Sequence, residues 1–320
     1  MTRSDTRPAA HGWHGIDIGG TKIELVAYDA AFAEAFRERI ATPGVDFAAF
    51  VDAIVGLVAR GDAALGCRAP VGIGLPGVID QATGRQVSSN VPALNGREVA
   101  DTLRQALGRP VAIGNDCQCF ALSEARGGAA AGLPTMFGAI VGTGAGGGYC
   151  ADGRLQRGFN GIAGEWGHWP IPASLQARYA LPLLACPCGK AGCLERYVSG
   201  PGLSALHGHF GGTGAEPLAI VARGATGDEA ATRALAAHLD LLGHALAGIV
   251  LASDPHAIVL GGGLSNLAHL YKELPAAVQR HLFRGVRVPP ILPPRFGAAG
   301  GARGAALLAR QSTSSFAEAP

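Results

Sequence analysis

Three of the seven cysteines, Cys186, Cys188 and Cys193, fall within eight residues, and His168 precedes them by under twenty positions. Three thiolates and one imidazole complete a tetrahedral zinc shell. Zinc takes sulfur at roughly 2.3 Å and imidazole nitrogen at roughly 2.0 Å, and a filled Cys3His shell has no open position for water, so such an ion is structural. Gly189 and Gly192 let the chain fold tightly around it. The CxxC spacing of zinc ribbons is absent, and three close cysteines read equally well as small buried hydrophobes. What favours the metal is the acidic residue on each side, Glu165 and Glu195. A metal that pins His168 and the cysteine loop also fixes these two carboxylates relative to each other.

Glycine marks the next constellation. Residues 15–18 form an apolar strand that runs into Gly19, Gly20, Thr21 and Lys22, and 23–28 form a second strand turning at Asp29. A weaker echo spans 136–155, where the apolar run 137–141 leads into Gly142, Thr143, Gly144, Ala145, Gly146, Gly147 and Gly148, then a short strand and the turn Asp152-Gly153. Such glycines let backbone amides crowd around phosphate oxygens, with the threonine hydroxyls and Lys22 as further donors. Residues 142–147 also spell GxGxxG, but the dinucleotide motif needs a helix opening at its third glycine and this segment reads as strand and hairpin. Either loop alone reads equally as a glycine-rich β-turn. Two of them, each at the start of a lobe, point to phosphate.

The elements that must position these residues alternate between helix and strand. Phe47, Phe50, Val51, Ile54, Leu57 and Val58 recur at helical spacing, 71–77 reads as a strand ending in a turn, and a helix is expected over 97–107. The short strand 111–113 delivers Asn115 and Asp116 at its carboxyl end, where α/β sheets bind ligands, and 117–126 is helical. Asp116 is therefore either a working carboxylate or the N-cap of that helix. Residues 231–252 form a long apolar helix, 257–260 a strand, and Gly261, Gly262 and Gly263 either a plain turn or bare backbone for a flat adenine ring. The segment 300–310 closes the chain as a helix, with 311–320 a frayed tail.

Composition bounds the class. At 320 residues, 48% hydrophobic and 16% charged, the chain is a packed α/β protein of two lobes. With 26 basic and 24 acidic residues spread along it, no basic tract suggests nucleic acid or an anionic membrane. The first fourteen residues lack the apolar core of a signal peptide, and the stretch 239–252, interrupted by Asp240 and His244, is shorter than the ~20 residues that span a bilayer. Together with an odd cysteine count, this predicts a reducing, cytoplasmic setting.

On these motifs the chain resembles the ROK sugar kinases of the actin-like ATPase superfamily. The resemblance spans almost the whole chain and rests, in order, on residues 17–22, Gly74-Leu75-Pro76-Gly77, Asn115-Asp116, 142–148, Ala163 to His168, the cysteine run with Glu195, and 261–263. It implies a two-lobed actin-like, ribonuclease H-like fold, with lobes 1–121 and 122–299 and a C-terminal helix, about 300–316, rejoining the first. ATP and a hexose or amino sugar would share the cleft between lobes. Asp116 would accept the proton of the sugar 6-hydroxyl, with Gly77, Asn90, Asn115, Glu165, His168 and Glu195 around the sugar. Asp17 would order Mg2+ through water. Gly19, Gly20, Thr21, Lys22, Gly142, Thr143, Gly144, Gly146 and Gly147 would line the phosphates, and Gly262 and Gly263 the adenine. A side chain at Gly144 is expected to disturb ATP and to leave the sugar untouched. Similar kinases often show His and Asp where this chain has Phe296 and Ala298, so a contact near the hinge or nucleotide would differ.

Within the family, residues 115–125, 261–266 and Asn90-Val91-Pro92 resemble bacterial N-acetyl-D-glucosamine kinases, while 160–168 also resembles the fructokinase branch. The resemblance therefore implies N-acetyl-D-glucosamine first, fructose second, and glucose or mannose third, in a monomer or homodimer. Some ROK proteins are sugar-responsive repressors with a helix-turn-helix before the first phosphate loop. Only sixteen residues precede Asp17, too few for that module. A catalytically idle sugar-binding protein would not account for Asp116 beside two phosphate loops.

Overall fold

The computed structural model describes residues 12–88, 91–297 and 300–315, with side chains to 312. The chain divides into two compact units, Met1–Cys119 with Ala299–Pro320, and Phe120–Ala298.

The first unit opens with β1 (Gly12–Ile18), β2 (Lys22–Asp29) and β3 (Glu34–Ala41), followed by helix α1 (Phe47–Leu65) and β4 (Val71–Leu75). Asp46 starts α1 by accepting the Ala48 and Ala49 N–H groups, and Gly66 stops it in a left-handed cap at φ 67°. The helix buries Phe50, Ile54, Leu57 and Val58, the stripe read from spacing, against Ile23, Leu25 and Ile73. A small ribbon of β5 (Val78–Ile79) and β6 (Gln86–Val87) precedes α2 (Val99–Leu107), β7 (Val111–Asn115) and α3 (Asp116–Ala125). The sheet order is β3-β2-β1-β4-β7, with β4 and β7 parallel to β1.

The second unit repeats this plan. It holds β8 (Thr135–Val141), β9 (Ala145–Ala151) and β10 (Arg154–Gln156), then helices α4 (Ala173–Tyr179), α5 (Glu195–Val198), α6 (Gly200–His209), α7 (Pro217–Ala225) and α8 (Glu229–Ser253). After these come β11 (Ile258–Gly261), α9 (Ala268–Gln279) and β12 (Ile291–Leu292), giving the order β10-β9-β8-β11-β12. Asp152 and Gly153, at φ 49° and 66°, form the β9–β10 turn, the positive-φ pair that a two-residue hairpin requires.

Helix α10 (Gly300–Ser315) returns to the first unit and packs on β1 and β4. Gly15 and Gly72 make this possible, because a Cβ on either would overlap the helix backbone at Ala302 or Ala305. The helix ends at Ser315, within one residue of the 300–316 expected, although the sequence reads as a frayed tail from 311; Ser312 Oγ continues the helical bonding by donating to Leu308 O at 2.9 Å.

Two other expectations change. The second glycine loop is shorter than 142–148, because β9 begins at Ala145 and only 142–144 turn. Helix α8, at 25 residues, is long and apolar enough to cross a membrane by length and composition alone. It reads as a core helix because of burial, not length. Leu241, Leu242, Leu246 and Ile249 are buried in the unit's own core, and Asp240 is held by Arg178, Tyr179, Arg280 and His281.

Candidate functional site

In the first unit, Asp17 and Asp116 lie close together at the carboxyl ends of β1 and β7, the two strands that flank β4. Their separation is bounded by Gly74 between them: a Cβ built there would sit 3.7 Å from Asp17 Oδ1 and 3.6 Å from the Asp116 Cα. Burial and the neighbouring Asp116 and Glu24 charges push the Asp17 carboxyl up to about 7, against the pull of Lys22. Gly301, in the first turn of α10, leaves room for that carboxylate, since a Cβ would meet its Cγ at 2.5 Å. Burial also raises Asp116 above the ordinary carboxylate range, although the Cys117 N–H donates to Asp116 Oδ1 at 2.9 Å.

The alternative of Asp116 as N-cap is resolved by its neighbour. Asn115 Oδ1 accepts the Cys117 and Gln118 N–H groups at 2.8 and 3.3 Å, and Asn115 Nδ2 donates to Gly77 O at 3.1 Å. Asn115 thus caps α3 and ties it to the Gly77 turn. Asp116 sits in the helix's first turn. Gly77 has φ 83° and no room for a side chain above Val87 O. Asn90, named with this group from the sequence, lies outside the described residues, as does Ala298.

The β1–β2 turn, Gly19 to Thr21, is largely exposed and closes through Gly19 N–H to Lys22 O at 2.9 Å. Thr42, at the end of β3, clasps it: Oγ1 donates to Gly19 O at 2.8 Å and its N–H to Thr21 O at 3.1 Å. Lys22 is the exposed first residue of β2.

In the second unit the turn Gly142-Thr143-Gly144 lies beside Gly262 and Gly263, with 3.6 Å between a Cβ built on Gly142 and the Gly262 Cα. Gly142 O accepts the Gly200 N–H at 2.8 Å, and Glu195 Oε2 accepts the Ala145 N–H at 3.1 Å. A Cβ on Gly144 would sit 2.6 Å from Glu195 Oε2. A side chain at Gly144 therefore meets Glu195, one of the residues that the resemblance assigns to the sugar. Gly146 and Gly147 are buried in β9, opposite Ile140 and Ala139. Their missing side chains allow close packing: a Gly147 Cβ would strike the Phe137 ring, Trp166 Nε1 donates to Gly146 O at 2.7 Å, and Gly164 lies against Gly147 O.

The four metal-ligand candidates converge. The ligand atoms of His168, Cys186, Cys188 and Cys193 all lie within 4.8 Å of one another. Cys188 Sγ is 3.5 Å from Cys193 Sγ, and Cys186 Sγ is 3.8 Å from His168 Nδ1. Bond lengths near 2.0–2.3 Å at tetrahedral angles require about this spacing, so the donor set fits a four-coordinate ion. His168 turns Nε2 the other way, 3.7 Å from Glu165 Oε2. Cys186 Sγ lies 3.6 Å from Glu195 Oε1.

Sequence reasoning missed Thr42, Gly200 and Gly301. For Gly200 a signal existed, since Ser199 followed by Pro201 marks a helix start, and Ser199 Oγ accepts the Gly202 N–H at 3.2 Å. For the other two the partners are remote in sequence. At Phe296 the backbone is held from α3: the buried Glu124 carboxylate accepts the N–H groups of Ala129, Arg295 and Phe296.

The chain is 47% identical over 296 residues to an N-acetylgalactosamine kinase, AgaK, of Shewanella sp. (strain ANA-3), covering 92% of this chain and 96% of that protein. It is 43% identical to an N-acetyl-D-glucosamine kinase of Photobacterium profundum, covering 92% and 98%. A ROK hexokinase structure from Thermus thermophilus superposes with TM-score 0.84 at 31% identity, covering 95% of this chain and 99% of that one. The ROK family model matches residues 13–312, and the chain belongs to the ROK family, with its actin-like ATPase fold.

Proposed function

We propose that the protein is an ATP-dependent kinase of N-acetylated hexosamines, transferring the γ-phosphoryl group to the sugar 6-hydroxyl. The observation that carries this reading is Asp116: a carboxylate at the end of β7, raised by burial, next to a second carboxylate and in the same unit as a glycine turn. A base with its pKa lifted toward neutrality is suited to accept a hydroxyl proton. As the proton passes to Asp116, the sugar oxygen bonds to the γ-phosphorus, the bridging P–O bond breaks, and ADP leaves with the electron pair.

Asn115 fixes the start of α3 and so aims Asp116. The turns 19–22 and 142–144 are assigned to the phosphates, with Lys22 as a further donor, and Gly262 and Gly263 offer bare backbone to the adenine. Glu165, Glu195, His168 through Nε2, and Asn90 are assigned to sugar hydroxyls. Mg2+, ordered by Asp17 through water, would supply charge neutralisation on the phosphates. The donor set His168, Cys186, Cys188 and Cys193 favours zinc, which would cross-link the loop without an open position for chemistry. We place the enzyme in the cytoplasm on its cysteine usage.

The substrate assignment is N-acetyl-D-glucosamine, supported by the Photobacterium relative. The Shewanella relative favours a second reading, the C4 epimer N-acetylgalactosamine. The test is ADP release with these two sugars, fructose, glucose and mannose, for wild type and Asp116→Asn. The highest kcat/KM is expected with an N-acetylated sugar, and the variant should lose about 10²–10⁴ in kcat while still binding sugar by calorimetry. A variant retaining more than about a tenth of kcat would remove Asp116 as the base. A wild type that binds sugar without turnover would favour a regulator.

A further inference from the structure

Glu195 is assigned above to the sugar, yet one of its oxygens is held by the turn, which leaves Oε1, 3.6 Å from Cys186 Sγ, to meet it. Oε2 already accepts the N–H of Ala145, the residue that ends the 142–144 turn. Five residues on, the Gly200 N–H holds the other end of the same turn through Gly142 O. The segment 195–200, which begins two residues after Cys193, therefore clasps the turn at both ends. The approach is close, with 2.6 Å between a Gly144 Cβ and Oε2.

We infer that Glu195 is a positioning residue for the nucleotide: one oxygen sets the β8–β9 turn that receives phosphate while the other meets the sugar, so that sugar and nucleotide strengthen each other's binding through one carboxylate. The inference rests on the kinase reading above. Losing the carboxylate leaves the Ala145 N–H without its acceptor and frees the turn to rotate its amides away from phosphate. Glutamine keeps an acceptor oxygen for Ala145 but not the charge. The two substitutions therefore separate the two roles.

The test is calorimetric binding of Mg–AMPPNP, with and without N-acetyl-D-glucosamine, to the full chain. Glu195→Ala should weaken nucleotide binding about tenfold even with no sugar present, the size of one charge-assisted hydrogen bond. Glu195→Gln should restore nucleotide affinity to within about twofold of wild type while sugar affinity stays low. Gly144→Ala approaches the same contact from the turn, and its loss should not add to that of Glu195→Ala in the double variant, as expected of residues sharing one interaction. Wild-type tightening of nucleotide by sugar should vanish in Glu195→Ala. If wild type binds Mg–AMPPNP and Glu195→Ala binds it equally well, the inference fails and the kinase reading stands. If wild type binds none, both fail. Additive losses, or Glu195→Gln as weak as Glu195→Ala toward nucleotide, would assign the effect to general loosening and overturn the inference.

Discussion

The two units carry the same sheet plan and the same kind of turn after their first strand, but they hold that turn differently. In the first unit the turn is clasped by Thr42, a neutral hydroxyl and backbone N–H at the end of an adjoining strand. In the second it is clasped by Glu195 and Gly200, which follow the Cys/His cluster. The chain between the third and fourth strands explains the difference. In the first unit it is one helix, α1, whereas in the second it holds α4 to α8 and the metal-ligand loop. The strands themselves have also diverged. Where the first unit places Asp17 opposite Glu24 and Gly74, the second has Ile140 opposite Gly146 and Gly261. One copy of the plan has kept the charge and the other offers bare backbone, with its support supplied from outside the sheet.

The comparison breaks first at the second turn. Cys193→Ala should abolish retention of about one zinc per chain by elemental analysis and lower Tm by about 8 °C, because a structural metal contributes several kcal/mol to its loop. KM for ATP should rise together with KM for sugar, since Glu195 is two residues away. Unchanged Tm and zinc content in this variant would show that the cluster holds no structural ion.

A smaller effect is expected at the first turn. Thr42→Val removes the hydroxyl bond to Gly19 O but keeps the backbone bond, so KM for ATP should rise only about threefold to fivefold, the value of one neutral hydrogen bond. Steady-state kinetics at saturating sugar measure this. A loss as large as that of Glu195→Ala would mean that both turns depend on their clasps alike and that the charged support confers nothing extra.

The smallest effect concerns stability. The folded Asp17 carboxyl is raised from 3.8 to about 7, so its protonated form is the one that favours the fold. That contribution is complete below the unfolded value and is lost as pH rises through about 7. Asp17→Asn should therefore gain on ligand-free wild type as pH rises from 4 to 7 and level off above, reaching about 4 °C in Tm. Thermal scans across this range that show a constant gap would remove the buried-carboxylate account.

Much of the site was legible because its signals are local. Glycine before a β-branched or charged residue at the end of an apolar strand marks a turn whether or not its partner is known, and the strand 111–113 placed Asn115 and Asp116 at its carboxyl end while leaving open which of them caps the helix. Cysteine spacing likewise predicted a cluster that the fold then closed, although His168 is eighteen residues from Cys186. What failed was local ambiguity: Gly146 and Gly147 look like more of the same loop, yet β pairing to Ile140 and Ala139 claims them. Glycine serves a phosphate turn and close sheet packing equally well, and only the neighbour tells them apart.

By itself the sequence determined the element types, the chemistry of the donor sets and the family, because these depend on side-chain identity and short-range spacing. The tertiary structure decided which oxygen of Glu195 is already engaged, that Asn115 rather than Asp116 caps α3, and that Asp17 owes its raised pKa to burial and Asp116 beside it. The reason is physical: hydrogen-bond partnership and desolvation are set by atoms that folding brings from far along the chain, fifty residues in the case of Ala145 and Glu195.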